Sequence, residues 1–339
     1  MKEQRKVPPP IVIPEGVSLR QAQERVVALE QLFRHHGIPI EPGKPLEAIA
    51  LSVFDALYQR ETPTPNNAAD VRVAFKHLIG LNELAGMTLA VKDHPEFHKL
   101  IPHLRLLNEG VGIQNMPSPV RDQATNKVFE LFAALLALHC GKNLEMDDDA
   151  AAGRNPDVLF EVDGRTWGIA CKALHGPSPE GFIGHLEKGI DQIEKSPAER
   201  GFVLFTIKNL IDQDKYWSIR NLDEVAQGAE PLFSAFADPE RPFYLLAEDA
   251  AMVSKSLTSY LPQGYLESAF AGKKSLPGFM VWAHVTTAVV FKNLPVPTSA
   301  RVMAWQHVGD TSPSDMAVLR CLHEAAYASD QRDFTTGAP

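Results

Sequence analysis

The dipeptide Asp163-Gly164 constrains this chain more than any other short stretch. It sits between two runs rich in Val, Ile and aromatic residues, Val158 to Val162 and Thr166 to Lys172. An Asp-Gly pair tolerates the positive φ angles of a two-residue turn, so the two runs are expected to close into an antiparallel hairpin. Upstream, Val128, Leu131, Phe132, Leu135 and Leu138 recur at helical spacing, predicting a helix over about Asp122 to Cys140 that Gly141 stops. A further strand is expected over Asn143 to Asp147, a helix over about Gly181 to Lys195, and a buried strand within Gly201 to Ile211. The order is therefore α-β-β-β-α-β, and the segment beyond Asp212 adds helices and at least two more strands, in GFMVWAHVTTAVVF and ARVMAWQHV.

The first part of the chain reads differently. Residues 1–16 form a proline-rich leader, expected to be flexible, and residues 17–115 are helical in pattern. Leu19, Ala22, Val26, Leu29 and Phe33 give one apolar helix face, and the stretches beginning at Pro45 and Ala68 repeat the behaviour between breakers such as TPTPNN. The expected organisation is an all-helical domain followed, over residues 116–339, by a sheet domain with a C-terminal elaboration. The fold class is α/β.

Three further totals bound the function. The longest apolar runs, Leu131 to Leu138 and Phe279 to Phe291, fall short of the roughly 18 residues needed to span a bilayer, and the first residues lack the apolar core of a signal peptide. A cytoplasmic protein without a membrane partner is expected. Cys140, Cys171 and Cys321 lie far apart with no CxxC pair, which argues against a zinc knuckle or a disulfide framework and fits a reducing compartment. A formal net charge of -9 counts against a general nucleic-acid coat, yet the acid is uneven: Gly141 to Asp163 holds seven acids against Lys142 and Arg154. Such a patch repels phosphate unless cations sit in it.

Within that patch, Asp157 follows Pro156 at the start of the first hairpin strand, while Ala170 and Lys172 lie two apart on the second and so share a face. Hydrolysis of a phosphodiester needs a divalent cation to polarise the phosphoryl oxygen, and hard cations take carboxylate and carbonyl oxygens. A lysine beside them positions the attacking water and offsets charge on the phosphorane. Taken singly, Asp157 also reads as a turn residue, Lys172 as a solvated strand-end charge and Glu130 as a surface acid. Their joint order carries more.

Pro156-Asp157, a gap of twelve residues, then Ala170-Cys171-Lys172 resembles the PD-(D/E)xK nuclease superfamily, which includes many restriction endonucleases. The resemblance covers Asp122 to Ile211, about a quarter of the chain. It implies a restriction-endonuclease-like mixed sheet flanked by helices, a Mg²⁺ or Mn²⁺ cofactor, and nucleic acid as partner, DNA before RNA. It assigns metal binding to Asp157, to Glu130 on the preceding helix and to the Cys171 carbonyl, with catalytic roles for Lys172 and for Gln192 on the following helix. It implies an endonuclease of a prokaryotic defence or restriction system. The alternative is a catalytically dead module on the same fold that binds nucleic acid or a protein, and a protein partner at the helical domain or a homo-oligomer stays open.

The departure is Ala170, where the family carries Asp or Glu. Three readings stay open at this level: the acid has moved to Glu161 or Asp163, the site binds without cutting, or the alanine is an inactivating substitution. A chain impaired at position 170 is the expectation. Other signals fall away. HPEFH at His94 to His98 lacks the HExxH order of a zinc protease, Gly264 to Ser275 lacks phosphate-loop spacing, and Ser178 lacks a nucleophile elbow. Trp217, Trp282 and Trp305 are expected in the core.

Overall fold

A computed structural model describes residues 19–58, 68–110, 112–118, 123–147, 155–217, 236–291 and 294–331. The predicted leader, residues 1–16, and Asp148 and Asp149 of the acidic stretch lie outside these. In chain order the elements are α1 (Leu19–His35), α2 (Pro45–Tyr58), α3 (Ala68–Ala90), the short α4 (Ile101–Arg105), α5 (Gln123–Cys140), β1 (Lys142–Met146), β2 (Val158–Val162) and β3 (Arg165–Ala173). Then come α6 (Pro179–Lys195), β4 (Arg200–Thr206), α7 (Arg241–Thr258), α8 (Tyr265–Phe270), β5 (Ser275–Phe291), β6 (Leu294–His307) and α9 (Pro313–Gln331). The strands form one mixed sheet in the order β1-β2-β3-β4-β5-β6.

The hairpin that frames this sheet follows from its turn. Asp163 and Gly164 have φ of 52° and 76°, and the mirror-image turn they make matches the right-handed twist of the strands. Val162 then pairs with Arg165, and the antiparallel ladder runs back to Val158 opposite Ile169. From β3 the chain crosses through α6 to return parallel at β4, and β4 in turn lies parallel to β5. Side chains alternate across β3. Trp167, Ile169 and Cys171 join the buried cluster that includes α5, whereas Ala170 joins the cluster under α6.

Helix α6 shows why the crossover packs so closely. The Ser178 hydroxyl accepts the Gly181 amide as an N-cap, Pro179 fills the first turn, and Phe182, Leu186, Ile190 and Ile193 give one apolar stripe. A Cβ at Gly189 would come 2.8 Å from Val203 Cγ2 and 3.3 Å from Ala170 Cβ, so the helix axis is drawn down onto β3 and β4 by the absence of a side chain.

On the other face, α1 buries Ala22, Val26, Leu29 and Phe33, the stripe expected from the sequence. These residues share one continuous cluster with α2, α3, α5 and the sheet, reaching Trp282 on β5 and Met303 on β6. Two of the three cysteines depart from expectation. Cys140 at the end of α5 and Cys321 in α9 form a disulfide across 181 residues of sequence, with Cα atoms 5.9 Å apart. No local spacing announced the pair, because it arises where two helices meet. Among the described residues no helix is long and apolar enough to cross a membrane.

Candidate active site

Asp157 stands at the N-terminal end of β2 and is 8% exposed. Its carbonyl accepts the Asp147 amide across the β1 edge, which fixes the backbone at 3.1 Å, while its carboxylate turns inward along the hairpin. There Oδ2 accepts the Cys171 backbone N–H at 2.6 Å and lies 3.4 Å from the Lys172 ammonium. Lys172 is as buried as its partner and donates further to the Cys171 carbonyl at 2.9 Å and to Gln192 Oε1 at 2.7 Å. The other end of the Gln192 amide donates to the Asn155 carbonyl at 3.0 Å. Helix α6 thus holds both the lysine and the loop that delivers Asp157.

Glu130 approaches from the opposite face. It is buried on α5, with Oε2 2.9 Å from Lys127 Nζ one turn earlier and 3.6 Å from His103 Nε2 in α4. Burial pushes the Asp157 carboxyl above its ordinary range; the Lys172 charge opposes that shift and the nearby Glu130 charge adds to it. Burial, with Asp157 and Glu130 beside it, pushes the Cys171 thiol well up, so the sulfur stays protonated and the contribution of this residue is its carbonyl. Asp157, Glu130, Lys172, Gln192 and the Cys171 backbone therefore come together.

Position 170 is a different case. The last hairpin pair is Val158 with Ile169, so one further step sets Asp157 across from Ala170. The Ala170 methyl is fully buried in the seam beneath Gly189. The residues proposed to carry the displaced acid do not replace it. Glu161 accepts from Asn143 Nδ2 at 2.7 Å and lies 3.3 Å from Lys142 Nζ at the β1 edge, and Asp163 occupies the hairpin turn. The second carboxylate beside Asp157 is Glu130.

A cleft of about 330 Å³ opens against this cluster, lined by Glu130 of α5, by Cys171 and Lys172 of β3, by His175 and by His185 and Lys188 of α6. Asn209 Nδ2 donates to the Leu174 carbonyl and lies 3.0 Å from His175 Nδ1, which assigns Nδ1 as acceptor and leaves the proton on Nε2. Burial lowers the His175 pKa, with Lys208 adding to the effect; burial also lowers that of His185, followed by the charges of Lys172, Lys188 and His175. Sequence reasoning missed Lys127, His103, His175, His185 and Lys188. Lys127 could have been found from its i−3 spacing to Glu130, and His185 with Lys188 from their i, i+3 spacing on a predicted helix. His103 gave no signal, since its place depends on how α4 packs on α5.

Among the described residues no group of three or more His, Cys, Asp and Glu side chains is disposed to hold a metal ion. The cluster instead offers two carboxylates and one backbone carbonyl. Comparison of the chain with protein-family models, curated proteins and solved structures finds no match.

Proposed function

We propose that this chain is a metal-dependent nuclease that hydrolyses phosphodiester bonds, with DNA as the preferred substrate. The observation that carries the reading is the buried Lys172 ammonium held between Asp157, the Cys171 carbonyl and Gln192, at a cleft whose nearest second acid is Glu130. Two carboxylates and a backbone carbonyl are the kind of oxygen donors a hard divalent cation takes, so Asp157, Glu130 and the Cys171 carbonyl would hold Mg²⁺ or Mn²⁺. When bound, that cation supplies Lewis acidity and lowers the pKa of the attacking water. The chain's own residues do the rest. Lys172 orients that water through its ammonium and offsets negative charge as the phosphorane forms, and Gln192 fixes the ammonium in place. On this reading Glu130 takes the part that position 170 does not play. A role in defence against foreign DNA rests on the family resemblance alone.

Removing the ammonium tests the assignment. Lys172→Met keeps the length and volume of the side chain, and the Asp157 carboxyl, already shifted toward its neutral form by burial, can take up a proton in its place. The expected result is a loss of at least about 10²-fold in metal-dependent cleavage with a folded protein by circular dichroism. Cleavage at the native rate would remove Lys172 from the chemistry.

The second reading, a module that binds without cutting, is favoured by one observation: a methyl group offers no oxygen at the position across from Asp157. Ala170→Glu separates the two. A carboxylate in this fully buried seam lowers the melting temperature of the metal-free protein, because it lies beside Asp157 and beneath Gly189. Titrated Mg²⁺ should then stabilise the variant by about 2.7 kcal/mol over its metal-free form once its concentration reaches roughly 100 times the dissociation constant, and by more than it stabilises the native chain at the same concentration. If native protein cuts and the variant gains no metal-linked stability, position 170 is packing only. If the native chain is inert and the variant cuts, the binding-module reading is correct for the chain as it stands.

A further inference from the structure

Several residues that line the cleft have no part in the proposed hydrolysis, and their chemistry differs from that of the acids. His185 and Lys188 lie three residues apart on α6 and present to the same opening, and His175 joins them from the turn before the helix. Lys188 makes no hydrogen bond or ion pair with a carboxylate among the described residues, although α6 also carries Glu187 and Asp191: Glu187 accepts from Tyr265, and Asp191 pairs with Lys195. The two imidazoles are flat rings bordering this space, and Phe129, which also lines it, is 2% exposed and packs in the core.

We propose that this cleft takes an unpaired nucleic-acid strand, with a phosphate adjoining the cleavage point held by Lys188 and His185 and a base lying against the rings. The inference rests on the nuclease reading of the site and names its substrate class. Three observations support it. A cleft of about 330 Å³ is at the small end of the range for pockets that hold one small molecule, enough for one nucleotide unit and too small for a base pair with both its backbones. The positive charge on offer is local: Lys188 lies beside a Lys172 already paired with Asp157, in a cleft that Glu130 also lines and a chain of formal net charge -9, whereas about 6–10 phosphate contacts are what give a duplex-binding protein its steep salt dependence. Finally, rings stack only on base faces that are already exposed, which a duplex does not offer away from its ends.

Binding and cleavage are measured separately, so that the two proposals fail separately. Fluorescence anisotropy of the full chain, in Ca²⁺ so that the oxygen ligands are occupied, is measured with labelled oligodeoxythymidine, oligouridine and a blunt DNA duplex. The expected order is single-stranded DNA tighter than the duplex by about tenfold and no weaker than oligouridine, and Lys188→Ala should reduce the slope of log affinity against log salt by about 0.7. Because Lys188 is exposed, its removal should leave the melting temperature unchanged. Equal or tighter binding of the duplex, or a salt slope that Lys188→Ala does not change, overturns the inference. Cleavage of the same substrates in Mg²⁺ then reports on the chemistry: single-strand binding with no cleavage sinks the nuclease reading alone, and cleavage confined to the duplex sinks the inference alone.

Discussion

Asp157→Asn and Glu130→Gln are each expected to reduce phosphodiester hydrolysis by about 10³-fold or more in a protein that still folds. The loss in rate follows from what a carboxamide cannot do. It is neutral, so it neither holds a hard cation firmly nor offsets its charge, and removal of such a group costs about 4 kcal/mol of transition-state stabilisation. Stability should change less than activity. Asp157 is 8% exposed, and burial raises its pKa while the Lys172 ammonium opposes the shift, so Asp157→Asn relieves a buried charge and leaves a buried ammonium short of its partner. A carboxamide oxygen at position 157 still accepts the Cys171 amide, and one at position 130 still accepts from Lys127, although the charge pairing with Lys172, Lys127 and His103 is lost. Single-turnover cleavage and thermal melting on the same preparations check both. Activity within a fewfold of native for either variant would remove that residue from the site, and a large fall in melting temperature would make it a structural acid instead.

What the sequence made legible depended on how local each cause was. The hairpin could be read because Asp163 and Gly164 determine their own turn, and from its register the convergence of Asp157 and Lys172 followed without tertiary information. Gln192 and Glu130 were singled out by the family resemblance, and only the helices that carry them could be read from apolar periodicity. The function of Ala170 could not be read. Its methyl answers Gly189 and Val203, residues on two other elements, so the need for a small side chain is a property of the seam and leaves no trace at position 170 alone. The Cys140–Cys321 disulfide was hidden for the same reason. His103 beside Glu130 and the imidazoles of the cleft likewise depend on packing between elements distant in sequence.

The buried charge network on the opposite side of the sheet was equally invisible, and it carries the largest expected effect on stability. Glu83 in α3 is 7% exposed; its Oε1 lies 2.8 Å from Arg301 Nη1 on β6 and its Oε2 lies 2.6 Å from His284 Nδ1 on β5. Arg301 also donates to the Ala326 carbonyl in α9 at 2.9 Å, and the Tyr327 hydroxyl donates to the Arg301 carbonyl at 3.0 Å. One carboxylate therefore ties the helical layer, two strands and the last helix. Burial alone would raise its pKa, but His284 and Arg301 more than offset this and hold it below the ordinary carboxylate value. A depressed folded-state pKa means stability that is present above the unfolded value, about 4.3, and is lost as pH falls through the folded one. Glu83→Gln should accordingly cost about 3–5 kcal/mol at neutral pH, because it removes the buried carboxylate that offsets the Arg301 charge. The exposed pair Arg34–Glu30, with side chains 78% and 43% accessible, should lose no more than a few tenths on Glu30→Gln. Adding Arg301→Met to Glu83→Gln should recover part of the loss, since no unpaired charge then remains buried. Chemical denaturation of the three variants decides the matter. A Glu83→Gln protein as stable as the Glu30→Gln control, or a double variant weaker than the single by the full cost of a second lesion, would show that the network contributes packing and not charge pairing.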